Sequence, residues 1–500
     1  MNMKYIAVFD IGKTNKKILI YNDSLKVVDS ATTQVNEIVS GSLIHDDVES
    51  IQNWFLEELG KFAQKYDIGS VSISAHGATA VCVDENGEIS VPELSYTTEP
   101  GEEFHTKFHE EFGDPVALQQ STATPNFGVL LNLAKLLQFS KEQYPEQFAK
   151  TKHILAYPQY YGYLLCGNAA ADTTYVGSHT YLWDYQENRW SDVAEKMGIT
   201  GMLPAKLQKP WDIMGTVTSE MAEKTGLSTS TVVTLGIHDS NAALLPYLIK
   251  QEGDFMLNST GTWCVVMHQE EKVSFKEDEL GKVVFYNISA FGKPVKTSIF
   301  LGGLEFETYD KVLRKIHGDI PFPNFDTSLY QQIIAEKDCF ILPTVVQGSG
   351  QFPQSQARVI EGGKEFLLEE IEKDGKTPEF FSDPAKAYAV LNLSLAMQSK
   401  VAIDRAGIKT GMPIFTEGGF RKNDPYNKIL TTIYPSSDVY LTNLNEASAF
   451  GAALLGKIAM DQVEPSSLGD LVEIEFSKVG SAKLEGLDAY FDQFIKLANN

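Results

Sequence analysis

The sequence predicts an α/β protein built as two related domains flanking a cleft. Strand-like and helix-like apolar runs alternate along all 500 residues, with no long linker or low-complexity stretch. Two short glycine turns, Asp10-Ile11-Gly12-Lys13-Thr14-Asn15-Lys16-Lys17 and Ser259-Thr260-Gly261-Thr262, each lie between apolar strands. One is near the start and the other past the midpoint, and their weak similarity points to a duplicated domain. A boundary within 246–254 divides the chain into 1–248 and 249–500.

Each turn reads as a β-hairpin, with strands at 5–9 and 18–21 around the first and 255–257 and 263–267 around the second. Glycine and small hydroxyls let backbone N–H groups come close to an anion. Two such hairpins facing each other would clamp one polyphosphate, so a nucleotide site is expected. Asp10 ends an apolar strand, where an acid is costly to bury unless it meets a cation or donors. It is suited to orient Mg²⁺ directly or through water. The Gly12-Lys13-Thr14 triplet is not a P-loop: Ala7 stands where the first glycine is required, and a strand follows the turn.

The remaining elements follow from periodicity and breakers. Ile51, Trp54, Phe55, Leu59 and Phe62 fall at helical spacing. Strands are expected at 71–74 and 80–83, on either side of the turn Ala75-His76-Gly77-Ala78. Helices are expected at 126–137 and 143–150, and a strand with a polar turn at 183–190. A strand at 232–235 leads through Gly236-Ile237-His238-Asp239 into a helix. In the second half, Gly302-Gly303 precedes a helix, a strand ends at Pro343, and a glycine-rich loop holds Gly348. A long helix at 385–406 stops at Gly407, a residue suited to a C-terminal cap. A strand at 413–416, the Gly418-Gly419 turn, a helix, a strand at 439–441 and a final alanine-rich helix from about Glu446 complete the chain.

Composition narrows the function. Hydrophobic content of 43% and charged content of 22% are those of a soluble globular chain. The net charge of −24 argues against nucleic acid or an anionic membrane as a partner. It also means that a bound nucleotide needs Mg²⁺ and local donors. Cys82, Cys166, Cys264 and Cys339 are far apart, as suits buried thiols in a reducing cytoplasm. The apolar run after Met1 is too short for a signal peptide, and no run of about 18 apolar residues suggests a membrane span.

Asp239 follows a strand and opens a helix, so its carboxylate can point into the cleft. There it can accept the proton of an attacking hydroxyl during phosphoryl transfer, or merely cap the helix. The Glu417-Gly418-Gly419 turn can admit a flat adenine or ribose, or serve as a plain helix entry. His76 can touch a substrate or be a packed turn histidine.

Taken in order, these pieces resemble the FGGY carbohydrate kinases. The matching residues are Asp10-x-Gly12-x-Thr14-Asn15-x-Lys17, Ala75-His76-Gly77-Ala78-Thr79, His238-Asp239, Ser259-Thr260-Gly261-Thr262-Trp263 and Gly302-Gly303. They continue with Pro343, Gly348, Pro353, Ala357-Arg358, Gly418-Gly419 and Glu446-Ala447-Ser448-Ala449-x-Gly451. The resemblance implies two actin-like (ribonuclease H-like) domains, as in the hexokinase/actin ATPase superfamily, with the sugar on the N-terminal domain and ATP on the C-terminal one. It implies Asp239 as general base, and Asp10 and Asp239 at a Mg²⁺ site. Gly12, Lys13, Thr14, Asn15, Lys17, Thr260, Gly261, Thr262 and Gly303 would face the nucleotide phosphates, and Gly348, Gly418 and Gly419 the adenosine. His76, Gly77, Tyr96 and Asp239 would hold the sugar.

Trp263 and His238 are similar to the L-rhamnulose and L-fuculose kinases, whereas His76-Gly77-Ala78 is similar to xylulose kinases. Thr98, Gly128 and Gln159 depart from those patterns, as drifted specificity would have it. A ketose is expected, with deoxyketoses included, phosphorylated at O1 or a terminal hydroxyl; a xylulose or polyol kinase is the alternative. An actin- or chaperone-like ATPase switch would share the hairpins but need neither His76 nor a base. A non-catalytic sugar-binding regulator is disfavoured by the lack of a helix-turn-helix segment or basic tail. Homodimers are common on this scaffold, though no interface is legible.

Overall fold

The computed structural model describes residues 3–128 and 130–499. Two mixed sheets carry the architecture, and they repeat one strand order. In the first half, Tyr5–Ile11 pairs antiparallel with Asn15–Tyr21, which pairs with Val27–Gln34. On its other side Tyr5–Ile11 runs parallel to Ile68–Ala75, followed by Val232–Thr234 and Ile213–Thr216. In the second half, Met256–Thr260 pairs antiparallel with Cys264–Gln269 and parallel with Ile414–Gly418. Val439–Thr442, parallel, and Phe476–Lys478, antiparallel, complete that side. On the hairpin side Pro294–Phe300 holds the place of Val27–Gln34, and one further strand, Val284–Ile288, forms the edge. Both glycine turns are therefore hairpin loops at equivalent places in duplicated sheets.

Helices cover the sheets where periodicity demands it. Val48–Ala63 starts at Asp47, whose carboxylate accepts from Ser50 N, and buries Ile51, Phe55, Leu59 and Phe62. Phe55 stacks on Phe9 of the first strand at 4.4 Å. Pro384–Arg405 has proline in its first turn, an Asp383 cap, and buried residues on every side, so it forms the spine of the second core.

A third core joins the halves. The helix Ala447–Asp461 lies late in the chain but packs beneath the first sheet, with Leu454 and Leu455 in one cluster with Ile6 and Val8. The helix Asp239–Lys250 reaches the other way, and Tyr247 stacks on Phe415 of the second sheet. The two helices cross at Gly451, where a Cβ would lie 1.9 Å from Ala242 O. Only glycine permits that approach.

Three expectations need correction. Residues 126–128 and 130–132 form a loop, because the Asn132 side chain accepts from Lys135 N and starts the helix Leu133–Gln143 there; Val129 lies outside the described residues. Tyr144, non-helical before Pro145, ends that helix, and only Pro145–Phe148 of 143–150 forms a separate turn of helix. The alanine-rich helix is not the last, since Leu487–Ala498 follows and packs Tyr490 on Phe340 at 4.6 Å.

Candidate active site

A cavity of about 480 Å³ opens between the halves. Its first-half wall includes His76, Gly77, Tyr96, His179, His238 and Asp239. Its second-half wall includes Thr260, Gly261, Trp263, Phe285, Asn287 and Glu417, together with Glu446 to Ser448.

Asp239 is the first residue of its helix, after His238 in extended backbone. One carboxylate oxygen, Oδ1, accepts from Ser240 N at 2.6 Å and Ser240 Oγ at 3.2 Å. The other has no protein partner among the described residues, so the local cap engages one oxygen and leaves one for the cavity. The surrounding protein raises its pKa by desolvation, partly offset by His76 and Ser240. His238 Nε2 stands 3.4 Å from Oδ1.

Asp10 is the penultimate residue of the first strand, buried, and accepts from Ser448 Oγ at 3.1 Å across the halves. Desolvation lifts its pKa to about 6, with the nearby charge of Asp239 adding to the rise. No group of three or more His, Cys, Asp or Glu is placed to hold a metal among the described residues. Two mutually repelling carboxylates beside the cavity nonetheless fit a hard cation that completes its shell with water and phosphate oxygens.

The first hairpin turn closes through Gly12 N to Asn15 O at 3.0 Å. Thr14 and Asn15 are exposed there, and Asn15 Oδ1 accepts from Gln34 Nε2 at 3.0 Å. Lys13 turns toward an acidic group, 2.7 Å from both Asp46 and Glu37, with Ser95 Oγ at 2.8 Å. Lys17 pairs with Glu446 of the other half at 2.6 Å. Neither ammonium is therefore without a partner.

In the second hairpin the Thr260 hydroxyl donates to Glu417 O and accepts from Phe420 N at 2.9 Å, so it ties the two turns together. Gly261 and Thr262 remain exposed. A Cβ on Gly303 would lie 2.0 Å from Gly261 O, and one on Gly418, at φ +77°, 2.1 Å from Thr260 O. Gly419 begins the following 3₁₀ turn, beside Thr260. Gly418 lines the cavity. Gly348 lies instead against Gly128 of the first half, whose Cβ would stand 3.3 Å from Gly348 O. The Glu417 carboxyl, held by Tyr247 Oη at 2.9 Å, is pushed up to about 7 by burial.

On the first-half wall, Gly77 leaves room for two imidazoles: a Cβ would meet His179 at 2.4 Å and His238 at 2.8 Å. Tyr175 Oη fixes this turn by donating to His76 O at 2.8 Å and Thr79 O at 2.7 Å. His76 lies between the rings of Tyr96 and Tyr157, and burial lowers its pKa. Burial also takes His179 and His238 down to about 3, so all three imidazoles are neutral near pH 7.

Thr98, Gly128 and Gln159 do not line the cavity. Thr98 is buried and bridges Ile44 N and O, and Gln159 Nε2 donates to Leu235 O at 2.7 Å. His179, Phe285 and Asn287 do line it and were not singled out from the sequence. They belong to no glycine turn or strand-end acid, and the only signal was strand alternation placing Phe285 and Asn287 on one face.

The fold is that of a solved carbohydrate kinase from Novosphingobium aromaticivorans, with a TM-score of 0.78, 24% identity, and 99% of this chain and 98% of that chain covered. Residues 5–246 match the N-terminal domain of the FGGY family of carbohydrate kinases, and residues 252–465 match the Carbohydrate kinase FGGY, C-terminal domain. The chain belongs to the FGGY carbohydrate kinase family. It is 22% identical to a rhamnulokinase of Halalkalibacterium halodurans over 53% of this chain and 56% of that relative. It is 23% identical to a xylulose kinase of Bacillus subtilis over 57% of each. These matches span little more than half the length of the two relatives.

Proposed function

We propose that the protein is an ATP-dependent sugar kinase that transfers the γ-phosphate to a hydroxyl of a neutral ketose or related sugar, L-rhamnulose and L-fuculose included. The single observation that carries this reading is the free Asp239 carboxylate oxygen in a cavity whose opposite wall bears the Thr260–Gly261 turn. Residues 1–248 would form the sugar domain and 249–500 the nucleotide domain. Four buried free cysteines suit a cytoplasmic protein, and no helix among the described residues is long and apolar enough to cross a membrane.

The sugar lies against His76, Gly77 and Tyr96, with its acceptor hydroxyl toward Asp239. Asp239 takes the hydroxyl proton as the oxygen attacks, and its raised pKa brings it closer to neutral pH than an ordinary carboxylate. Backbone N–H groups of the Gly12–Asn15 and Gly261–Thr262 turns grip the phosphates, while Gly303 and Gly418 let the second turn lie close to its neighbours. Gly418 and Gly419 face the adenosine, with Gly348 on the loop beside it. Asp10 and Asp239 would hold Mg²⁺, which when bound neutralises phosphate charge. Lys17 would exchange Glu446 for phosphate, and Lys13 would support the turn from its acidic side.

The test is a coupled ADP-release assay with MgATP over ketoses, aldoses and polyols. Sugar-dependent ADP formation is expected, and the xylulose or polyol alternative would show as preference for those acceptors. ATP turnover indifferent to every sugar would replace the kinase reading with a conformational ATPase.

A further inference from the structure

The edge strand Val284–Ile288 belongs to the second sheet, yet its outer rim is bonded to the first half. Tyr286 N donates to Ala123 O at 3.1 Å and Ile288 N donates to Gly177 O at 3.0 Å. Tyr185 Oη donates to Tyr286 O at 2.7 Å, and Gln119 Nε2 to Val284 O at 2.9 Å. An edge that would otherwise expose unpaired backbone groups is thus closed by the opposite domain. Alternation along the strand then sends Phe285 and Asn287 to the cavity.

Asn287 is 1% exposed, and its Oδ1 accepts from Ser178 Oγ of the first half at 3.0 Å. That bond directs the amide, and its Nδ2 group has no protein partner among the described residues although the residue lines the cavity. An amide donor that the protein leaves unbonded at a cavity wall is free to donate to an acceptor on a ligand. Its surroundings are fixed on both sides. Gly177 leaves no room for a Cβ beside Ile288, at 2.5 Å, and His179 adopts φ +41° with its ring edge-on to Phe285 at 5.9 Å. A histidine held in the left-handed region marks a place where the surroundings over-determine the backbone.

We propose that Asn287, carried by the nucleotide half, is a specificity-determining residue for the sugar, donating from Nδ2 to an acceptor-sugar oxygen, with Ser178 as its positioning residue. The proposal rests on the sugar-kinase reading. It makes recognition of the sugar depend on both halves being docked, because Asn287 and Ser178 come from opposite sides of the cleft.

The test is the steady-state kinetics of Asn287→Asp and Ser178→Ala with D-xylulose, L-rhamnulose and L-fuculose as probes. Asn287→Asp keeps the size and the acceptor for Ser178 but removes the donor. It is expected to raise the KM of the best sugar about tenfold or more, change the ranking among the three, and leave the KM of ATP within about twofold. Ser178→Ala, which leaves the amide in place but unaimed, is expected to raise the sugar KM less, with kcat nearly retained. An unchanged sugar KM in both variants overturns the proposal. So does a parallel loss for all three sugars together with weakened ATP binding, which would make Asn287 a structural residue. Wild-type protein inactive with every sugar overturns the kinase reading itself, a result separable from failure confined to the variants.

Discussion

The carboxylate of Asp10 accepts a hydrogen bond from Ser448 at 3.1 Å although 438 positions separate the two residues. The contact exists because the helix bearing Ser448 crosses from the second half of the chain to lie under the first sheet. The same crossing places Glu446 opposite Lys17 and brings Glu446 to Ser448 to the cavity wall. The two glycine turns therefore sit on two sheets whose relative placement depends on shared helices.

Asp239→Asn should lower kcat by about 100-fold or more, the usual scale for removing a general base. The fold should survive, because an amide oxygen can still accept from Ser240. ATP affinity, followed by fluorescence titration, should change little. Equal losses in turnover and ATP affinity would assign the residue to structure rather than proton transfer.

Asp10→Asn should separate stability from activity. Burial raises the Asp10 pKa to about 6, so between about 4 and 6 the folded protein holds a proton that the unfolded chain has released. Stability from this group is therefore present at low pH and lost as pH rises through that window. At pH 8 the variant should gain roughly 1–2 kcal/mol in denaturant unfolding, and near pH 4 almost nothing. Its turnover should nevertheless collapse. Identical unfolding curves at pH 8 would show that the charge is not penalised in the folded state.

The pairing of Lys17 with Glu446 makes opposite predictions for its two members. Lys17→Ala should raise the KM for ATP about fivefold or more by removing a charge-assisted phosphate contact. Glu446→Gln should lower it or leave it unchanged, since the ammonium no longer has to give up a carboxylate. An increase of similar size in both variants would mean that the pair acts as a strut between the halves.

Gly303→Ala tests the second turn. The added methyl would lie 2.0 Å from Gly261 O, a backbone atom that cannot yield without moving the turn. A cost of about 1–3 kcal/mol is expected, expressed mainly as a higher KM for ATP. The sugar KM should stay close to wild type, and a selective loss of sugar affinity would refute this placement.

Much of the site was legible because its signals are local. Asp10 closes an apolar strand before a glycine turn, Asp239 stands at a strand-to-helix junction, and Thr260-Gly261 repeats the first hairpin in the second half. Gly303 and Gly418 were marked as turn residues, and the structure adds the reason: backbone carbonyls occupy the space a side chain would need. The helix at 385–406 was visible from its Gly407 stop. The 126–132 segment misled because its apolar residues serve the cavity, where Phe127, Leu130 and Leu131 lie, and not a helix face.

The sequence by itself determined the duplicated α/β grammar, the two hairpin turns and the carboxylates at their ends, since each depends on residues within a few positions of one another. Only the tertiary structure decided that Ala447–Asp461 packs under the first sheet, that Lys17 meets Glu446, and that Asn287 faces the same cavity as His179. An apolar helix declares that it will be buried but not against what, and a strand's alternation declares two faces but not its neighbour. Those choices are made by contacts between segments hundreds of residues apart.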